Sequence, residues 1–135
     1  MQVPMLDLRA QYATIKEEVD AAVLAVLESQ QFRGGPHVDA FEHGLAAFAG
    51  VKHAVGVGSG TDALFLALKG LQLRPGDEVI TTPFSFFATA GAIVNAGGIP
   101  IFADICTDTF NINPKSIETL ITPRTRAIVP VHIFG

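Results

Sequence analysis

The sequence predicts an α/β fold: a three-layer arrangement of a parallel sheet with helices on both faces, preceded by two N-terminal helices. Three observations carry this reading. From residue 53 onward, short apolar runs alternate with amphipathic stretches of helical period. The apolar runs are continuous, as expected of strands covered on both faces. Glycine- and proline-rich breaks separate the segments, among them Gly34-Gly35-Pro36, Arg74-Pro75-Gly76-Asp77 and Gly97-Gly98.

Residues 14–28 carry Ile15, Val19, Ala22, Val23, Val26 and Leu27 at helical spacing, with Lys16, Glu17, Glu18 and Asp20 on the solvated face. Gln30 to Pro36 breaks that helix. A second helix presents Val38, Phe41, Leu45 and Phe48 on one stripe and stops at Gly50. His53 to Val57 reads as the first strand, and Thr61 to Leu71 as a helix with Leu64, Leu68 and Leu71 in phase. After the Arg74–Asp77 turn, Glu78 to Thr82 is the second strand and Phe86 to Ala96 the next helix. Ile99 to Ala103 is the third strand. Asn113-Pro114 opens another helix, with Asn as N-cap and Pro at the first helical position. Thr122 to Thr125 closes it, and Ala127 to Val131 is the fourth strand. The chain thus divides into an N-terminal helical segment, 1–52, and a sheet-bearing part, 53–135. In open parallel sheets ligands sit beyond the carboxyl ends of the strands. Here those ends are Gly58–Thr61, Thr82–Phe87, Asp104–Cys106 and His132–Gly135.

Composition narrows the function. The 135 residues are 49% hydrophobic and 16% charged, which suits a globular domain with a real core. The formal charge is −4, and the nine Lys and Arg are scattered, so nucleic acid is not the expected partner. Cys106 is the sole cysteine, so no intrachain disulfide forms, and with no base or CxxC partner nearby it reads as a buried or incidental cysteine and not a redox thiol. Met1-Gln2-Val3-Pro4 does not resemble a secretory leader, and no apolar run approaches the ~20 residues of a membrane span. A cytoplasmic location is the expectation.

The most informative stretch is Gly56-Val57-Gly58-Ser59-Gly60-Thr61-Asp62-Ala63-Leu64. A glycine-rich turn into a helix N-terminus offers unpaired N–H groups and a favourable dipole to an anion. It is not a P-loop, since no lysine follows Gly60. It is not a dinucleotide fingerprint either. Thr61 stands at the last glycine position, and the second strand ends in Thr81-Thr82-Pro83 with no carboxylate for a ribose. What remains is a loop for one phosphate group or a turn with no ligand. In the first case Gly60, Thr61 and Asp62 supply N–H donors, Thr61 adds its hydroxyl, and Asp62 caps or orients through its side chain. Pro83-Phe84-Ser85-Phe86-Phe87 puts three aromatic rings at the same sheet edge, where a flat ligand can stack or the rings can join the core.

Taken together, these segments resemble the N-terminal part of the DegT/StrS-type sugar aminotransferases, pyridoxal-phosphate enzymes of the aspartate-aminotransferase fold. The resemblance runs from Leu6 to Gly135. It rests on Asp7-Leu8-Arg9-Ala10-Gln11-Tyr12, Phe32-Arg33-Gly34-Gly35-Pro36-His37-Val38, Gly58-Ser59-Gly60-Thr61-Asp62-Ala63-Leu64, Pro75-Gly76-Asp77-Glu78-Val79-Ile80, Ile121-Thr122-Pro123-Arg124-Thr125-Arg126-Ala127-Ile128 and Val129-Pro130-Val131-His132-Ile133-Phe134-Gly135. It implies pyridoxal 5′-phosphate as cofactor, a nucleotide-linked keto sugar and an amino-acid donor such as glutamate as substrates, and a homodimer. It implies that Gly60, Thr61 and Asp62 grip the cofactor phosphate and that Phe86 stacks on the pyridine ring. Phe32 and His132 fall on the substrate side, and Gln11 and Tyr12 border it.

The resemblance also implies two departures. The family's Schiff-base lysine and the aspartate paired with its pyridine nitrogen fall beyond a chain of this length. Lys16, Lys52, Lys69 and Lys115 are poor substitutes, and Asp104 reads as structural. The expectation is therefore a truncated large domain, inactive alone, whose uncovered sheet edge favours self-association. The alternative is a non-catalytic module that binds a phosphate ligand or dimerises.

Overall fold

The computed structural model describes residues 6–135, so Met1–Pro4 lie outside the described residues. The element order is α1 (Leu8–Ser29), α2 (Pro36–Ala49), α3 (Gly60–Gly70), β1 (Glu78–Thr81), α4 (Ala88–Ala96), β2 (Ile99–Phe102), α5 (Pro114–Leu120) and β3 (Thr125–Ile128). The chain forms two units, Met1–Gly56 and Val57–Gly135.

In the first unit, α1 starts six residues before the apolar periodicity because Asp7 caps it. One Asp7 carboxylate oxygen accepts from the N–H groups of Arg9 (3.1 Å) and Ala10 (3.0 Å). Helix α2 opens with Pro36 at its first position and ends at Gly50 in the left-handed region (φ 67°). Ala46 is its one buried residue, and α1 has none among the described residues. Tyr12, Ile15, Val23, Leu24 and Leu27 of α1 and Phe41, Leu45 and Phe48 of α2 are exposed. These stripes are too apolar for a helix meant to face water on all sides.

The second unit is built on a parallel sheet of order β2-β1-β3. Central β1 pairs Ile80 with Ile101 on one side and with Ile128 on the other. The β3 register slips between Glu78 and Val79, and Val129 N–H extends the ladder to the Ile80 carbonyl at 2.8 Å. Pro130 follows and cannot donate, which ends β3. Val79, Leu68, Ala92, Ile93 and Ala96 form the core, with Leu64, Phe65, Leu73, Ala127 and Val129 packed against it. Helix α4 therefore lies on the Val79 face, with α3 against it. The connection β1-α4-β2 moves one way across the sheet, and β2-α5-β3 returns past β1. Right-handed crossovers in opposite directions put α4 and α5 on opposite faces, giving the three layers.

One expected strand is absent. His53 to Val57 has no ladder partner among the described residues, and the unit boundary falls inside it. Val55 is 78% exposed. An apolar run is strand-like only when a neighbour takes its N–H and C=O groups. The sheet of this unit thus has three strands, not four.

Candidate functional site

The carboxyl edge of the sheet collects the candidate residues of the second unit. Helix α3 ends near the start of β1, and Leu73 just beyond it meets Gly98 just beyond α4. Helices α3 and α4 thus run side by side in the same direction, against the strands. Eleven residues of α3 span about 16 Å, close to the length of a four-residue strand with its flanks. The N-termini of α3 and α4 therefore both stand at the carboxyl edge.

Ser59 caps α3. Its hydroxyl accepts from the Asp62 N–H (3.1 Å) and donates to the Asp62 carboxylate (3.0 Å). The hydroxyl caps one helix donor, and the Asp62 carboxylate orients that hydroxyl. The Ala63 N–H closes the first helical turn onto the Ser59 carbonyl at 3.0 Å. The N–H groups of Gly60 and Thr61 find no acceptor among the described residues, and both residues are exposed. A Cβ on Gly60 would meet nothing within 4 Å. At Gly58 a Cβ would stand 2.9 Å from the Asp62 carboxylate, so a side chain there would displace that carboxylate. Asp62 spends its N–H and one carboxylate oxygen on Ser59, and the two free donors belong to Gly60 and Thr61.

Phe86 lies at the same edge, 78% exposed, in the turn between β1 and α4. Its segment is tied down at several points. Phe84 N–H donates to the Thr82 hydroxyl (3.2 Å), the Ser85 and Thr89 hydroxyls meet at 2.7 Å, and Thr89 N–H donates to the Phe86 carbonyl (3.1 Å). Thr82 and Thr89 are buried. With Ser85, Phe87 and Phe102 these residues line a cavity of about 300 Å³ whose wall includes Phe86.

His132 is exposed in the turn after β3, which Gly135 N–H closes onto the His132 carbonyl at 3.4 Å. Phe32 belongs to the first unit, where it lines an apolar groove with Val23, Val26, Leu27 and His37. Gln11 and Tyr12 lie on α1, the latter bonded to Asp20 and Lys16. Gly60, Thr61, Asp62, Phe86 and His132 thus share one unit and Phe32 does not. Asp104 turns its carboxylate onto the Ile105 N–H (2.8 Å), a structural use. All four lysines are exposed. Lys16 pairs with Asp20, Lys69 sits 5.8 Å from the Phe65 ring centre, Lys115 stands in the first turn of α5, and Lys52 lines a polar cavity of the first unit.

Sequence reasoning missed a cluster at this edge. The rings of Phe84, Phe110 and Phe134 meet pairwise at 5.8 to 6.3 Å. Phe110 holds a left-handed backbone (φ 59°), and Asn111 reaches the Gly135 carbonyl through Nδ2 at 3.5 Å. No local pattern announces contacts between residues this far apart in sequence. Among the described residues no group of His, Cys, Asp and Glu could hold a metal ion, and no helix is long and apolar enough to cross a membrane.

The chain resembles proteins of known activity. It is 44% identical over 133 residues to an Acidithiobacillus ferrooxidans protein named as a UDP-N-acetyl-3-dehydro-α-D-glucosamine 3-aminotransferase, covering 98% of this chain and 36% of the relative. It is 41% identical over 119 residues to the Bacillus subtilis 3-oxo-glucose-6-phosphate:glutamate aminotransferase, covering 88% of this chain and 27% of that one. A crystal structure of NtdA from Bacillus subtilis with bound cofactor PMP superposes with a TM-score of 0.91 at 38% identity, over 99% of this chain and 31% of that one. The chain spans about a third of the length of the relatives it matches. The fold is that of the matching part of these aminotransferases, and the match to the family model extends over residues 13–135, so the chain belongs to the DegT/DnrJ/EryC1/StrS aminotransferase family.

Proposed function

We propose that these residues form part of a pyridoxal-phosphate-dependent sugar aminotransferase that moves an amino group from glutamate to the keto group of a nucleotide-linked sugar. The observation that carries this is the pair of open N–H groups on Gly60 and Thr61, at the same sheet edge as the exposed ring of Phe86. The residues fit the cofactor. Gly60 and Thr61 donate to its phosphate, with the Thr61 hydroxyl as a third donor, and the helix dipole adds to their pull. Asp62 holds Ser59 in place and keeps the loop closed. Phe86 supports the ring face, and His132 borders the substrate. When bound, the cofactor supplies an electron sink that lets an amino group change carriers. The amine that anchors its aldehyde, and the acid that pairs with its ring nitrogen, come from outside these 135 residues, and the working unit is a homodimer.

A second reading, a non-catalytic binding or dimerisation module, draws on the apolar stripes of α1 and α2. One titration separates the two. The 135-residue chain is titrated with pyridoxal 5′-phosphate and with inorganic phosphate, then treated with borohydride. The aminotransferase reading expects tighter binding of the cofactor than of phosphate, loss of both with Thr61→Pro, and no trapped adduct. Equal affinity for the two ligands favours the module. Turnover of glutamate and a UDP-linked 3-keto sugar by this chain alone would sink the assignment of the anchoring amine elsewhere.

A further inference from the structure

The three segments that leave the carboxyl ends of the strands are gripped together by one residue, Phe110. Its ring stacks on Phe84 at 5.8 Å and meets Phe134 edge-on at 5.8 Å. Phe84 is two residues before Phe86, and Phe134 is two residues after His132. The loop that carries Phe110 is built to hold it there. Ile105 and Ile112 form an antiparallel bridge, Phe110 N–H donates to the Cys106 carbonyl at 2.9 Å, and Cys106 N–H donates to the Asn111 carbonyl at 2.9 Å. Within this closed loop Phe110 takes a backbone conformation that L-residues with a side chain avoid. Such a conformation persists where the surroundings over-determine it. The next residue grips the same turn, since Asn111 Nδ2 reaches Gly135 while its Oδ1 is buried without a partner among the described residues.

We propose that Phe110 is a positioning residue of the cofactor cup. Through Phe84 it sets the segment that presents Phe86, and through Phe134 it sets the turn that presents His132. This rests on the aminotransferase reading, because only a flat ligand needs the Phe86 ring held in register. The α3 donors do not depend on Phe110, so phosphate binding and ring binding separate.

The test titrates the chain and its Phe110→Ala and Phe110→Leu variants with pyridoxal 5′-phosphate, followed by the absorbance band of the bound cofactor, and with inorganic phosphate. Phe110→Ala is expected to weaken cofactor binding by about three- to tenfold, the scale of a lost aromatic pair, and to shift the bound band. Phosphate affinity should hold within twofold, and Phe110→Leu should fall between. Should Phe110→Ala fail to fold, Phe134→Leu tests the other half of the clasp with the same expected split. Unchanged cofactor affinity, or an equal loss for both ligands, overturns the positioning role. A wild-type chain that binds the cofactor no better than phosphate overturns the reading beneath it, before any variant is made.

Discussion

Arg124 and Glu78 are 46 residues apart and lock the amino edge of the sheet. Arg124 donates through Nε and Nη2 to one Glu78 carboxylate oxygen, and Thr122 donates to the other at 2.5 Å. The Glu78 N–H also donates to the Arg124 carbonyl at 2.9 Å, so side chain and backbone fasten the same pair. Glu78 is buried, and a buried carboxylate persists only when its oxygens are satisfied.

That pairing gives stability a pH signature. The Thr122 hydroxyl, and then Arg124, hold the Glu78 carboxyl below the usual carboxylate range. A folded value below the unfolded one means that the charged form is favoured by folding. The contribution is present above about pH 4.5, the ordinary carboxylate range, and is lost as pH falls through the lower folded value. Melting temperature should fall on acidification below that range. Glu78→Gln should melt several degrees lower at pH 7 and lose less than the wild type does between pH 5 and pH 3. Parallel curves for the two proteins would show that Glu78 is not the group responsible.

The cap of α3 predicts a second outcome. Ser59→Ala removes both hydrogen bonds to Asp62 and should cost about 1 kcal/mol in urea unfolding. Ser59→Gly should cost only a few tenths. An unchanged midpoint for Ser59→Ala would mean that solvent caps the helix as well as the hydroxyl does.

Gly58 tests the same loop from the other side. In Gly58→Ala the new methyl would stand 2.9 Å from the Asp62 carboxylate, which must swing away and release Ser59. The flexible carboxylate can move, so stability should fall by about 1 kcal/mol or less, the worth of the cap. The loop that aims Gly60 and Thr61 loosens, and phosphate affinity should drop more than stability does. Isothermal titration with inorganic phosphate reads this directly, and full affinity with a displaced Asp62 would show that the cap does not shape the anion site.

What was legible in the sequence follows the range of the interactions. Gly50, Gly97 and the Asn113-Pro114 pair act on their own backbone, so they marked helix ends where the structure has them, while Pro36, read as part of the preceding break, is the first residue of α2. The Gly58–Asp62 loop was legible for the same reason, since Ser59 and Asp62 are three residues apart. The Asp7 cap is equally local and lay outside the apolar periodicity that set the expected start of α1. The apolar run at 53–57 misled because a strand is defined by a partner, and the run does not name one. Phe110, Phe84 and Phe134 meet only after the sheet has formed, and neither the left-handed turn at Phe110 nor its ring partners leave a mark on neighbouring residues.

The closest approach in the core gives the last prediction. A Cβ on Gly98 would lie 2.9 Å from Leu73 Cδ1 and 3.3 Å from Ile93 Cγ2. Gly98 does not occupy the left-handed region, unlike Gly97 at φ 97°, so Gly98→Ala tests packing alone. Ile93 is fully buried and cannot retreat, and Leu73 is half-buried and can yield only by leaving the cluster it packs against. Overpacking at such a site costs about 1–3 kcal/mol. Leu73→Ala alone removes apolar contact and should destabilise as well, by up to about 2–5 kcal/mol. The two changes should not add, because removing the leucine side chain opens the space that the new methyl needs. The double variant should recover at least ~1 kcal/mol relative to the sum of the single losses, as expected for residues in direct contact. Urea unfolding of the four proteins in the cycle measures this coupling, and strict additivity would mean that the backbone after α4, not Leu73, absorbs the added methyl.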